Sequence, residues 1–162
     1  MPYSTKLSDA LHIMAFIETE QGNDLSSDAI AYSLASNPAT VRQIMGKLKR
    51  AGLLESTAGH ARPRLARPPR QITMLDVYRA VEGPKPLLHL DTHTNPACGV
   101  GANVQVAIGE YFHDVQDQAE QAMAQISLAD ILERFQVLAA RPRTKAAADA
   151  DAIANAAAAL SR

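Results

Sequence analysis

Between Leu25 and Gly52 the sequence starts a helix twice and stops it twice. Leu25-Ser26-Ser27-Asp28 is the first start: Ser26 can accept from an open first-turn amide, and Leu25 can staple against Ile30. That helix is short and ends near Leu34. Asn37-Pro38 is the second start, an N-cap followed by a residue whose missing N–H is not needed in the first turn. The second helix is expected to run to Arg50, closed by Gly52. Its residues Val41, Ile44, Met45 and Leu48 share one face, leaving Thr40, Arg42, Gln43 and Lys47 on the others. Two short helices joined by a tight turn, the second half apolar and half basic, form a helix-turn-helix pattern. A longer helix from about Ser4 to Glu20 precedes them, with Leu7, Leu11, Met14 and Ile17 at helical spacing and Gln21-Gly22-Asn23 as its break.

After Gly52 the period changes. Leu53-Leu54-Glu55-Ser56-Thr57 has strand character, and Arg64-Leu65-Ala66-Arg67 is expected to return antiparallel to it. The turn between them, Ala58-Gly59-His60-Ala61-Arg62-Pro63, carries positive charge, and Pro68-Pro69 stops the second strand. This hairpin has the form of a wing. The formal net charge of −1 hides a division that matters here. Residues 38–70 hold Arg42, Lys47, Lys49, Arg50, Arg62, Arg64, Arg67 and Arg70 against Glu55 alone. Residues 71–135 set three cations against nine acidic side chains. A basic segment inside an otherwise acidic chain points to a local polyanion-binding surface.

Ile72-Thr73-Met74-Leu75-Asp76-Val77 opens another helix, with Thr73 and Asp76 at capping-box spacing and Ile72 and Val77 placed as a staple. Gly83-Pro84 ends it. Residues 84–101 are rich in Pro, Gly and His and lack periodicity, which predicts an exposed loop. A long helix is expected over Ala102–Ile126, its seam being Val104, Ile108, Tyr111, Val115, Ala119, Ala122 and Ile126. At about 37 Å it outreaches the body of a small winged-helix domain, so the seam suggests pairing with a second copy. Ile126-Ser127-Leu128-Ala129-Asp130-Ile131 repeats the start pattern and opens a short closing helix to about Phe135. Beyond Leu138 come Arg141-Pro142-Arg143 and then an alanine-rich stretch, ten of residues 146–160, with almost nothing large to bury. A frayed or disordered tail is expected there.

The fold class is therefore mainly α with a small β-wing. It comprises a winged helix-turn-helix domain over 1–83, a sensor loop over 84–101, a dimerisation helix with a short closing helix over 102–138, and a tail over 139–162. Helix-turn-helix geometry places the second short helix in the major groove of double-stranded DNA, with its N-terminal residues against base edges. Thr40, Arg42 and Gln43 are the expected base readers, since Arg can fork onto guanine and Gln onto adenine. Lys47, Lys49 and Ser26 or Ser27 are placed for phosphates. Arg62 and Arg64, with His60, are the wing's contribution, the arginines entering the minor groove. A winged helix that binds protein instead of DNA is the alternative from another class, and the basic cluster on helix and wing argues against it.

The run Leu65-Ala66-Arg67-Pro68-Pro69, followed by Ile72-Thr73-Met74-Leu75-Asp76-Val77-Tyr78-Arg79-Ala80-Val81-Glu82-Gly83, resembles the post-wing signature of the Rrf-two family of winged-helix regulators. Ser127-Leu128-Ala129-Asp130-Ile131 resembles that family's closing helix. The likeness spans roughly residues 5–135. It implies a homodimer joined by the long helix on a partly palindromic operator, usually repressing. Two departures are visible. The family's glycine-rich wing tip is replaced by His60-Ala61-Arg62-Pro63, and cluster-binding relatives carry three closely spaced cysteines where this chain has only Cys98. Three thiolates from one chain are unavailable, so no cofactor and no iron–sulphur cluster is expected.

Cys98 has two readings: an inert packing residue, or a redox or electrophile sensor whose thiolate is favoured at a helix start. His89, His93 and Cys98 form a loose set of ligands suited to zinc or copper, at a spacing that matches no closed zinc pattern. His12 and His113 read as packing or surface residues. No nucleophile–base set, paired carboxylates or nucleotide loop can be picked out, so the chain is not expected to be an enzyme. No signal peptide or membrane span is expected either, and a single cysteine suits a reducing, cytoplasmic setting.

Overall fold

The structure, a computed structural model, describes residues 4–56, 62–141 and Ala152. In chain order the described residues form α1 (Lys6–Thr19), α2 (Ser27–Ser33), α3 (Pro38–Arg50), β1 (Leu54–Ser56), β2 (Pro63–Leu65), a 3-10 turn (Pro69–Gln71), α4 (Met74–Glu82), α5 (Gly99–Gln125) and α6 (Leu128–Ala139). They fall into two compact units, one ending at Leu128 and one beginning at Ala129.

Three of the start signals do what their side chains dictate. Ser26 accepts a hydrogen bond from the Ala29 amide, and Asn37 accepts one from the Ala39 amide with Pro38 in the first turn. Thr73 and Asp76 complete a reciprocal capping box. Gly52 takes φ +68°, the left-handed conformation that lets the chain turn from α3 towards β1. α1, α3 and α4 pack together around Ile13, Met14, Ile17, Val41, Leu48, Val77 and Val81, with Ile30 of α2 also buried. The residues of both expected staples, Leu25 and Ile30, Ile72 and Val77, are buried. β1 and β2 pair antiparallel with Leu54 opposite Leu65, Glu55 opposite Arg64 and Ser56 opposite Pro63.

α5 is built differently. It is 27 residues long, about 40 Å, and contains no buried residue. Its C-terminal end is tied to the body by backbone bonds: the Met74 amide donates to the Ile126 carbonyl, and the Leu128 amide to the Ile72 carbonyl, both at 2.8 Å. Residues 84–98 run back along α5, since the Leu87 amide donates to Gln116 Oε1 at 2.8 Å while Asn95 lies against Gly101. The expected seam residues Val104, Tyr111 and Val115 are exposed, as are Val100 and Val106.

Several boundaries differ from the sequence expectation. α5 starts at Gly99 and not Ala102, because Gly99 and Gly101 join its first turn despite their low helix propensity. Gly101 is small for a reason: a Cβ there would lie 2.6 Å from the Asn95 carbonyl oxygen. The closing helix runs past Phe135 to Ala139, no breaker intervening. The paired strands are short, and Ala66-Arg67 lie beyond β2. The rest of the expected wing turn, including His60, and most of the expected tail lie outside the described residues.

Candidate nucleic-acid interface

Burial of Val41, Ile44 and Leu48 fixes the rotation of α3 and thereby exposes Thr40, Arg42 and Gln43 on its outer side. Among the described residues Arg42 and Gln43 make no side-chain hydrogen bond or ion pair, so their donors and acceptors face solvent. Arg62 is likewise exposed. The two candidate serines of α2 differ. Ser26 is occupied as a cap, and its hydroxyl also bonds Asp24 Oδ2 at 3.0 Å; Ser27 is the first helical residue and half-buried.

Four of the other cations singled out by the sequence, Lys47, Lys49, Arg64 and Arg67, are engaged within the fold. Lys47 is half-buried, and its ammonium donates to the Val81 carbonyl at 2.6 Å, near the C-terminal end of α4, where a helix favours positive charge. Lys49 donates to the Ser56 hydroxyl on β1. Arg64 pairs with Glu55 across the wing, Nε to Oε1 at 2.8 Å, as their register dictates. Both side chains are more than half solvated or close to it, so the pair is open to exchange with a phosphate. Arg67 stands 3.7 Å from the Asp76 carboxylate that completes the α4 capping box.

Sequence reasoning missed one part of this surface. The first turn of α1 lies beside α3, and Thr5, Lys6 and Asp9 with Thr40, Gln43 and Lys47 line a cleft of about 400 Å³ between them. The Ser4 hydroxyl donates to Glu82, which ties the residue pair before α1 to the end of α4. Lys6 is exposed and adds a cation beside the open face of α3. No short-range pattern marks this proximity, because it arises from packing of α1 on α3.

Cys98 is the exposed N-cap residue of α5. As a thiol it makes no capping bond, but its thiolate faces the Gly101 and Val100 amides, which hold its pKa below the ordinary cysteine value. His93 is turned towards Asp91, Nδ1 to Oδ1 at 3.5 Å. Among the described residues no three His, Cys, Asp or Glu side chains come together as metal ligands, so His89, His93 and Cys98 do not converge. Nor is any described helix long and apolar enough to cross a membrane.

Residues 3–134 match the Rrf2 (Rrf-two) family, described as an iron-dependent transcriptional regulator. The chain is 36% identical over 132 residues to YwnA of Bacillus subtilis (strain 168), named as an HTH-type transcriptional regulator, covering 82% of this chain and 98% of that protein. It shares its fold with CymR (YrzC), the global cysteine regulator of B. subtilis, at TM-score 0.60 and 23% identity over 82% of this chain and 97% of that one. T. potens IscR has the same fold at TM-score 0.60 and 23% identity, over 90% and 96% of the two chains. The family match takes in every element that orients the open face of α3, and the chain belongs to the Rrf2 family: it is a DNA-binding regulator of transcription.

Proposed function

We propose that the protein acts in the cytoplasm as a homodimeric repressor on a partly palindromic operator. The observation that carries this reading is the contrast within α3, where one face is sealed into the core and Thr40, Arg42 and Gln43 are left unpaired on the other. In this reading α3 enters the major groove, Arg42 and Gln43 read base edges, and Arg62, with Arg64 released from Glu55, follows the backbone into the minor groove. Ser27 and Lys49 meet phosphates at the groove edges. Lys47 is assigned a different part from the one its charge suggests: bonded to Val81, it sets the angle between α3 and α4. The dimer forms through α5, whose Val104, Tyr111 and Val115 are exposed.

The family's iron dependence does not fit the donor set of this chain. It holds a single cysteine, and the nearest histidines do not converge on it. A cluster held by three thiolates of one chain cannot be built, and no step of the reading passes through one. Cys98 serves instead as the responsive group, its thiolate reacting with oxidants or electrophiles at the start of the helix that joins the protomers.

Selection of binding sites from random duplex DNA at physiological salt tests the reading. Recovery of an inverted repeat with half-sites one or two helical turns apart is the expected result. Binding that enriches no sequence and vanishes with modest salt would show affinity of electrostatic origin alone.

A further inference from the structure

A second open cleft, of about 450 Å³, lies where α4, the turn that follows it and α5 meet. Gly83 makes it possible. With φ +72° it bends the chain sharply out of α4, so that Pro84-Lys85-Pro86 fold back beside Tyr78. The Tyr78 hydroxyl pins this turn by donating to the Lys85 carbonyl at 2.9 Å. The opposite wall belongs to α5. Glu120 accepts from Arg79 at 2.6 Å and from Gln116 at 2.7 Å, and both partners hold its carboxylate ionised. Gln116 in turn receives the Leu87 amide through its other end.

This cleft has the composition of a small-molecule site. Its volume falls within the range of ligand pockets, and Tyr78, Pro84 and Pro86 supply apolar lining. Its charges do not balance internally. Arg79 and Lys85 bring two cations, Glu120 one anion, and Glu120 is already taken up by Arg79 and Gln116. The Lys85 ammonium has no partner among the described residues. We infer that the cleft binds a small monocarboxylate with a compact apolar body, its carboxylate on Lys85 and the open edge of Arg79 and its body against Tyr78 and the two prolines. An amino acid satisfies the same chemistry and adds an ammonium for the acceptor sites that Glu120 keeps beside Arg79 and Gln116. The cleft joins the last helix of the DNA-binding body to the helix assigned to dimerisation. Any effect of its occupant on operator binding rests on the function proposed above; binding itself does not.

The test uses the intact protein without DNA. Hydrocinnamate, isocaproate, phenylalanine and leucine are titrated by calorimetry, beside hydrocinnamamide and isocaproamide as uncharged counterparts. Saturable binding of the acids but not of the amides is expected, with affinity falling about tenfold in Lys85→Gln, the effect of losing one charge-assisted hydrogen bond, and largely kept in Lys85→Arg. Tighter binding of the amino acids, lost in Glu120→Gln, would identify a zwitterion as the ligand; equal or tighter binding of the amine-free acids would identify a simple carboxylate. Either supports the site. Failure of all four to bind, equal binding of the amides, or unchanged affinity in Lys85→Gln overturns it. None of these outcomes depends on finding an operator, so failure of this site and failure of the DNA reading are separately visible.

Discussion

α3 and α5 are both helices with a polar side and an apolar side, yet the fold treats them in opposite ways. α3 is thirteen residues long and has Val41, Ile44 and Leu48 buried against neighbours in its own chain. α5 has twice that length and buries nothing; Val100, Val106 and Tyr111 are each more than 60% exposed. Its ties to its own chain are mostly polar, such as Arg79 to Glu120 and the Leu87 amide to Gln116, whereas packing of apolar faces, more than propensity, usually supplies helix stability. The comparison separates two sources of order: the body buries its apolar residues within its own chain, while α5 leaves Val100, Val106 and Tyr111 in solvent.

The largest expected effect tests the first half of that statement. Leu48→Ala leaves a cavity between α3 and the body and should cost about 2–5 kcal/mol of unfolding free energy, at any protein concentration. Tyr111→Glu in α5 should leave the melt of dilute protein almost unchanged but halve the mass seen by sedimentation at higher concentration. If Tyr111→Glu destabilises the dilute protein as much as Leu48→Ala does, α5 is part of the intramolecular core and the contrast fails.

Next in size is Arg42→Ala, on the open face of α3. Loss of one bidentate base contact costs about 1–3 kcal/mol, so operator affinity should drop roughly tenfold or more, with discrimination relaxed at one base position. The thermal melt should not move, because Arg42 is exposed and bonds to nothing among the described residues. A mobility-shift titration on the selected operator and on single-base variants gives both numbers. Uniform weakening across all the variants would instead make Arg42 a phosphate contact.

Thr73→Ala should have a smaller effect, about 1 kcal/mol, by removing half of the capping box at the start of α4. It also bears on the comparison. Thr73 sits where the body receives the end of α5, in an isolated antiparallel bridge with Ser127. Faster hydrogen exchange at the Met74 and Leu128 amides in this variant, with α1 and α3 unaffected, would show that the α5 attachment is a separate unit of stability. Exchange rising equally everywhere would show one cooperative unit.

What was legible in the sequence divides along the same line. Ser26, Asn37 and Thr73 were readable as caps because a cap acts within three residues of itself. The buried face of α3 was readable because it repeats with the helical period. Contacts between residues distant in sequence left no such trace. Lys47 and Val81 are 34 positions apart, Arg79 and Glu120 are 41 apart, and in both cases a charge that reads as surface is held by the fold. Arg64 was legible as basic, but its pairing with Glu55 follows from a hairpin register that a one-residue slip would undo. The early start of α5 was missed because Gly99 and Gly101 argue against a helix locally. The Asn95 carbonyl, packed where a side chain would otherwise be, explains the glycine at position 101.

The smallest effect on stability, and the sharpest probe of α5, concerns Cys98. The thiol is exposed, so Cys98→Ser should melt like the parent protein. Its chemistry is another matter. Amides of Gly101 and Val100 in the first turn stabilise the thiolate, so a larger fraction is ionised at neutral pH than for a free cysteine, whose pKa is about 8.5. Alkylation rates measured against pH should therefore reach their plateau at lower pH in the native protein than in the urea-unfolded chain. Gly101→Ala provides the control, because its Cβ must displace the Asn95 carbonyl and with it the turn that places Cys98 over those amides. The native profile should then move back towards the unfolded one while the melt of the body stays put. Coincident native and unfolded profiles in the parent protein would mean that the start of α5 does not tune the thiol. The proposed role of Cys98 as the responsive group would then fall, leaving the proposed dimerisation through α5 untouched.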